Sequence, residues 1–294
     1  MKRYAIGVDV GGTKISAALV SATGKLRSEP IRLPSCARES KKHFEQQLFA
    51  TIEQTVLAAE SAWHDIVGIG LGLPGPLNLA RGIILNPPNL TILQNYPIRD
   101  IVNNRFNCPV FIDNDANCYA LGEARFGVAK SSRLVIGLTL GTGFGCGAVI
   151  DRQIYHGATD TATEIWCTPY QDGVFEDYGA GRGVERFYLQ RTGQRFAAHE
   201  ILQKAECGEM AAQEAWRQYG FHLGRMLSFL VNFFDPDVIV LGGSVANAFP
   251  WFEAALKEEL STHICPMPRG HVQVLQSNLG EQAAILGAAA LVRP

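Results

Sequence analysis

Apolar runs interrupted by glycine turns set the pattern of this chain. Residues 6–10 read Ile-Gly-Val-Asp-Val, and Gly11-Gly12-Thr13-Lys14 follows before a second apolar run over 15–20. This predicts a buried strand, a tight turn and an antiparallel second strand. Residues 25–33 predict a third strand, stopped by Pro34. Phe44, Leu48, Ile52, Val56 and Ala59 recur at helical spacing and predict a helix over 41–63. Residues 66–76 alternate as a strand and end at Pro74-Gly75-Pro76. A short helix over 97–106, a strand over 109–112 and a helix over 116–126 come next, placing Asn114 and Asp115 near a helix start. Strands followed by a helical crossover to another strand predict a mixed sheet with helices packed on it.

The opening pattern recurs. Residues 134–140 predict a strand that enters a second glycine turn, Gly141-Thr142-Gly143-Phe144-Gly145, and a further strand over 148–150. At a constant offset of 130 residues, Ile6/Ile136, Gly7/Gly137, Gly11/Gly141 and Ala18/Ala148 are identical. Strand, turn and strand recurring together point to a duplicated half. Two such halves facing each other would enclose a cleft. Residues 156–177 show no period and read as loop. Helices are predicted over 179–191, 197–205, 209–234, 251–260 and 282–292, with strands over 238–241 and 271–275. The 238–241 strand stops at Gly242-Gly243-Ser244, where backbone could approach a flat ligand.

The 294 residues fit one large or two medium domains, and no low-complexity linker divides them. A net charge of −2 argues against a nucleic-acid or anionic-membrane partner. No apolar run approaches the ~18 residues of a membrane span. Asp9 interrupts the first apolar run too early for a signal-peptide core. Seven scattered cysteines, with no CxxC pair, read as buried reduced thiols of a cytoplasmic protein.

The glycines permit close approach of a ligand and φ > 0, and successive N–H groups in such turns form a concavity suited to phosphate oxygens. The plainer reading is an ordinary hairpin. Asp9, at the mouth of the first turn, is placed to hold a cation. Asp113-Asn114-Asp115-Ala116-Asn117 follows a strand end, where open α/β sheets bind ligands. An aspartate there is also a natural helix cap, and Asp113 competes for that job.

These pieces together resemble the ROK family of bacterial sugar kinases and sugar-responsive repressors. The matching segments are Asp9-Val-Gly-Gly-Thr-Lys14, Gly72-Leu-Pro-Gly-Pro76, Pro88-Asn-Leu90, Asn114-Asp-Ala-Asn117, Leu140-Gly-Thr-Gly-Phe-Gly145, Glu164 and Val240-Leu-Gly-Gly243, in the family's order across nearly the whole chain. The resemblance implies an actin-like (ribonuclease H-like) duplicated α/β fold with two lobes around a nucleotide and sugar cleft. Residues 1–118 would form the smaller lobe, with the terminal helix over about 281–294 packing back on it. Residues 119–280 would form the larger. It implies transfer of the γ-phosphate of MgATP to a hexose hydroxyl, with Asp115 as general base. Gly75, Asn89, Asn114, Asp115 and Glu164 would line the sugar site. Asp9 would approach Mg2+ through water. Gly11, Gly12, Thr13 and Lys14 with Gly141, Thr142 and Gly143 would hold phosphates, Lys14 mainly through its backbone. Gly242 and Gly243 would border the adenosine. A homodimer is implied as well, and lobe closure over the sugar is expected because water must be excluded.

The chemistry supports those roles independently. A sugar hydroxyl is a poor nucleophile, and a carboxylate within reach can take its proton as the P–O bond forms. Phosphoryl transfer otherwise needs in-line positioning and charge stabilisation.

One region departs from the family. Where a Gly-Glu-hydrophobic-Gly-His segment and a cysteine-rich zinc loop are usual, this chain reads Thr163-Glu-Ile-Trp-Cys167, then a short loop to Glu176. Cys167 takes the place of a histidine that would serve sugar and zinc. It is the only Cys or His between His156 and His199, so no zinc site is expected. Glu176 aligns with a family glutamate that can reach the sugar, or is a surface acid. A non-catalytic sugar-sensing regulator without a DNA-binding domain is the alternative function. Some zinc-free relatives use polyphosphate as donor, while the Gly242-Gly243 strand end favours ATP.

Overall fold

A computed structural model describes residues 3–87 and 90–292. The chain divides into two compact units. The first comprises Met1–Ser131, Gly147–Ala162 and Glu281–Pro294, and the second Ser132–Cys146 and Thr163–Gly280.

The first unit is built on strands β1 (Tyr4–Val10), β2 (Lys14–Ser21), β3 (Ile31–Pro34), β4 (Ile66–Leu73) and β7 (Val110–Asn114), in the order β3-β2-β1-β4-β7. β1 runs antiparallel to β2 and parallel to β4, which is parallel to β7. A short ribbon, β5 (Leu77–Asn78) and β6 (Ile83–Ile84), lies between β4 and β7 in the chain. Helices α1 (Lys41–Ala58) and α2 (Ile98–Phe106) supply Phe44, Leu48, Ile52, Ile98 and Val102 to a core shared with Ile6, Val8, Ile69 and Leu71. α3 (Asp115–Phe126) and the terminal α10 (Gln282–Leu291) pack on each other. α10 sits so close to β1 and β4 that a Cβ on Gly7 would fall 2.0 Å from Ile285 O, and one on Gly70 1.8 Å from Ala288 O.

β8 (Leu134–Leu140), β9 (Phe144–Ile150), β10 (Gln153–Ile154), β13 (Val238–Gly242) and β14 (Gln273–Gln276) form the second sheet, ordered β10-β9-β8-β13-β14. β8, β13 and β14 are parallel. β1 and β8 start 130 residues apart and share one burial pattern, buried except at the first and sixth positions. The repeat read from the sequence is thus a repeat of strand order and of buried positions. A second ribbon pairs β11 (Pro169–Tyr170) with β12 (Gly173–Val174). Helices α4 (Phe175–Gly179), α5 (Gly181–Thr192), α6 (Ala198–Glu206), α7 (Met210–Phe234), α8 (Phe249–His263) and α9 (Pro266–Arg269) belong to the second unit. Trp216 and Tyr219 of α7 pack against Phe252 of α8, ring centroids 6.1 and 5.1 Å away.

Several expected boundaries move. The third strand starts at Ile31, because Leu26 makes only an isolated bridge to Val20 and Pro30 has no N–H for a ladder. α1 stops at Ala58, and Glu60 beyond it takes a left-handed φ of 48°. Residues 156–177, read as loop, hold the β11–β12 ribbon and the start of α4. A lobe boundary after residue 118 would cut α3, whose helix belongs whole to the first unit. Among the described residues, no helix is long and apolar enough to cross a membrane. The cysteines are not uniformly buried: Cys108, Cys118 and Cys146 are, while Cys167, Cys207 and Cys265 are exposed.

Candidate active site

The C-terminal ends of β1, β4 and β7 bring Asp9, Gly72 and Asp113 into one row, since Asp9 is in register with Gly72 and Gly72 with Asp113. Strands about 4.8 Å apart put the two aspartates roughly 10 Å from each other. α3 begins one residue past β7. Asn114 caps it, Oδ1 accepting from Ala116 N at 2.9 Å, and Asp115 Oδ1 accepts from the same N–H at 2.8 Å. Asp115 is therefore held at the positive end of a helix dipole. A Cβ on Gly72 would lie 3.3 Å from Cys118 Sγ and 3.7 Å from Asp115 Cα, so the first turn of α3 packs directly on β4 at this glycine.

The two aspartates that compete for a role in the sequence separate here. Asp113 is buried, and Oδ1 accepts from Asn114 N at 2.8 Å and Asn117 Nδ2 at 2.9 Å. Its Oδ2 lies 2.7 Å from His156 Nε2. Asp113 is a buried buttress, Asn114 is the cap, and Asp115 is partly exposed at the first position of the helix. His156 carried no signal in the sequence. Its partner is 43 residues away and joins it only through the fold.

Asp9 is partly buried, and burial raises its carboxyl to about 6, with Lys14 opposing the rise and Glu281 adding to it. Lys14 is committed elsewhere: its Nζ lies 2.7 Å from Glu281 Oε1, and Arg32 reaches the same carboxylate at 3.2 Å. A desolvated carboxylate whose nearest cation is bonded to another acid fits a hydrated Mg2+. In the turn itself Gly11 N donates to Lys14 O, and among the described residues no backbone carbonyl accepts from Gly12 or Thr13 N–H. The second turn is built alike, with Gly141 N donating to Gly143 O and the N–H groups of Thr142 and Gly143 outside the backbone bonds. Both turns thus offer paired N–H groups, suited to phosphate oxygens.

In the second unit a cavity of about 610 Å³ opens beside that turn. Gly141, Thr142, Arg182, His199, Ser244 and Asn247 contribute to its wall, and Trp216 and Leu202 add apolar surface. The expected Gly242 is buried in β13 and does not line it. Gly243 turns the chain toward Ser244 with φ +82°, and a Cβ there would meet Leu140 O at 2.3 Å. Arg182 lies within the helix predicted over 179–191. His199 and Asn247 gave no sequence signal, because they meet only when α6 and the segment after β13 converge.

Glu164 and Glu176, both expected at the sugar, have different surroundings. Trp166 Nε1 donates to Glu164 Oε2 at 2.6 Å, and Cys167 Sγ lies 3.5 Å from Glu164 O. Thr163 before it holds a left-handed φ of 68°, fixed by its Oγ1 donating to Cys146 O at 2.8 Å. Glu176 accepts from Phe144 N at 3.1 Å and is bonded by Arg182, so it braces the second glycine turn. Gly75 precedes Pro76 through a cis peptide bond. Asn89 lies outside the described residues. Among the described residues no group of three His, Cys, Asp or Glu side chains is arranged to hold a metal.

The arrangement supplies a carboxylate at a strand end and helix start, a second acid suited to a hydrated cation, and two N–H turns. One turn borders a cavity with room for a nucleoside. Comparison with known proteins agrees. The model of the ROK family matches residues 5–294. A xylose repressor of Caldicellulosiruptor bescii is 30% identical over 310 residues, 98% of this chain and 77% of that protein. A ROK hexokinase structure from Thermus thermophilus superposes with a TM-score of 0.84 at 30% identity, covering 98% of this chain and 97% of the other. A ROK glucokinase structure from Streptomyces griseus, in complex with glucose and AMPPNP, gives 0.84 at 28% identity and 99% of both chains. With its two-sheet, actin-like α/β fold matched over nearly its full length, this chain belongs to the ROK family.

Proposed function

We propose that this protein is an ATP-dependent sugar kinase that transfers the γ-phosphate to a hexose hydroxyl. The observation that carries the reading is the division of labour at the end of β7. Asp113 is buried among its hydrogen bonds and Asn114 caps α3, while Asp115, bonded to Ala116 N, stands partly exposed at the helix start. Asp115 accepts the hydroxyl proton as the P–O bond forms, a contribution of about 10²–10⁴ in rate. Asn114 and Glu164 bond sugar hydroxyls, and the Gly75 backbone and Asn89 complete that site. The N–H groups of Gly12, Thr13, Thr142 and Gly143 bind donor phosphates, and the cavity at Arg182, His199 and Asn247 takes the nucleoside. Asp9 would hold hydrated Mg2+, which supplies charge neutralisation on the phosphates. A cytoplasmic location, where ATP is available, belongs to the same proposal.

The xylose repressor likeness supports a second reading, a sugar-sensing regulator without turnover. Trp166 bonded to Glu164 favours it, since the indole occupies an acid the sugar would need. A coupled assay of ADP release with a hexose panel separates the two. Sugar-dependent release that falls at least about 10²-fold in Asp115→Asn, with sugar binding retained, supports the kinase. Sugar binding without ADP release across the panel refutes it.

A further inference from the structure

His156 follows β10 and opens a loop closed by Ala162 N donating to His156 O at 3.1 Å. Its Nε2 lies 2.7 Å from Asp113 Oδ2. Asp113 Oδ1 already accepts two N–H donors, which leaves Oδ2 as the acceptor for the His156 Nε2–H. A carboxylate anchor of this kind fixes both the tautomer and the plane of an imidazole. The ring makes no other hydrogen bond among the described residues, and a third of the side chain (33%) remains exposed. Asp113 is the neighbour of Asn114 and is in register with Gly72, so the ring is anchored one carboxylate away from the candidate sugar site.

We propose that His156 is a specificity-determining contact for the acceptor sugar, with Nε2 held on Asp113 and Nδ1 bonded to a sugar hydroxyl. This rests on the sugar-binding reading of Asn114 and Asp115. Nδ1 donates when the ring is charged and accepts when it is neutral, and a hydroxyl can meet either. The hydrogen bond to Asp113 raises the His156 pKa against the effect of burial, and the charges of Asp113 and Asp160 add to the rise. The charged, donating form is thereby favoured. A ring fixed in plane distinguishes hydroxyl epimers, because a misplaced hydroxyl leaves Nδ1 unpaired.

Two variants separate ligand contact from strut. His156→Gln keeps a donor at the reach of Nε2 and removes the ring nitrogen opposite. His156→Asn keeps a polar group near Nδ1 and releases Asp113. Calorimetric titration of wild type and both variants with D-glucose, D-mannose and N-acetyl-D-glucosamine is read beside thermal melts and the KM for ATP. The expected result is sugar affinity about tenfold weaker in His156→Gln, equivalent to about 1.4 kcal/mol. Its melting temperature and KM for ATP stay at wild-type values. His156→Asn recovers part of the affinity while melting earlier. Wild-type affinity in His156→Gln, with loss only in His156→Asn, shows a strut and overturns the proposal alone, provided the wild type still turns sugar over. A wild type that binds none of the three sugars overturns this proposal and the kinase reading together.

Discussion

Gly287→Ala tests how the first unit holds the helix that carries Asp115. A Cβ at this position would lie 1.7 Å from Cys118 O, 2.6 Å from its carbonyl carbon and 2.9 Å from Gly122 N. Ordinary contact begins near 3.4 Å, so α3 and α10 must separate by roughly 1.7 Å, the difference between 3.4 and 1.7. No flexible side chain can yield, because the obstructing atoms are backbone. The same opening disturbs Gly122, where a Cβ would meet Ala283 O at 2.0 Å from the opposite direction. Overpacking costs about 1–3 kcal/mol, and a backbone-on-backbone clash belongs at the upper end. About 3 kcal/mol lowers the melting temperature by roughly 6–12 °C at this size. Calorimetric melts measure the shift, and turnover should fall too because Asp115 is the first residue of α3. Gly270→Ala is the control: nothing lies within 4 Å of its Cβ position and its φ is −92°. A melting temperature for Gly287→Ala within about 1 °C of wild type would refute the claim that α3 and α10 meet at backbone distance.

Two further outcomes follow from the second unit. Ala198→Trp projects an indole into the cavity beside Thr142 and Ser244 and should raise the KM for ATP by about tenfold or more, at fixed sugar affinity; an unchanged KM places the nucleotide elsewhere. His222 has its pKa lowered to about 4, first by burial and then by Arg225 and Arg186, while its Nδ1 lies 3.0 Å from Tyr170 Oη. The unfolded chain takes up this proton near its ordinary value of 6.5 and the folded chain only near 4, so stability is lost as pH falls through that window. His222→Asn should flatten that part of a stability–pH curve, and a slope identical to wild type would contradict the burial of a neutral ring.

The residues of a local pattern were legible in the sequence alone. Gly11-Gly12-Thr13 and Gly141-Thr142-Gly143 announce strand, turn and strand because alternating burial and glycine freedom are properties of a few adjacent residues. The same locality gave the start of α3 and the length of α7. The ordered motifs carried the family, and with it the fold. Tertiary structure decided which polar atoms meet. Asp113, Asn114 and Asp115 are equivalent helix-start candidates in the chain, and only the fold shows Asp113 taken up by His156 and Asn117. Glu176 reads as a sugar ligand or a surface acid in the sequence, and only the fold brings its oxygens to Phe144 N and Arg182. The cavity beside Thr142 draws on α5, α6, α7 and the segment after β13, which share no local sequence pattern. A side chain's chemistry depends on partners within a few ångströms in space, and some of them, His156 for Asp113 and Phe144 for Glu176, lie tens of residues away along the chain.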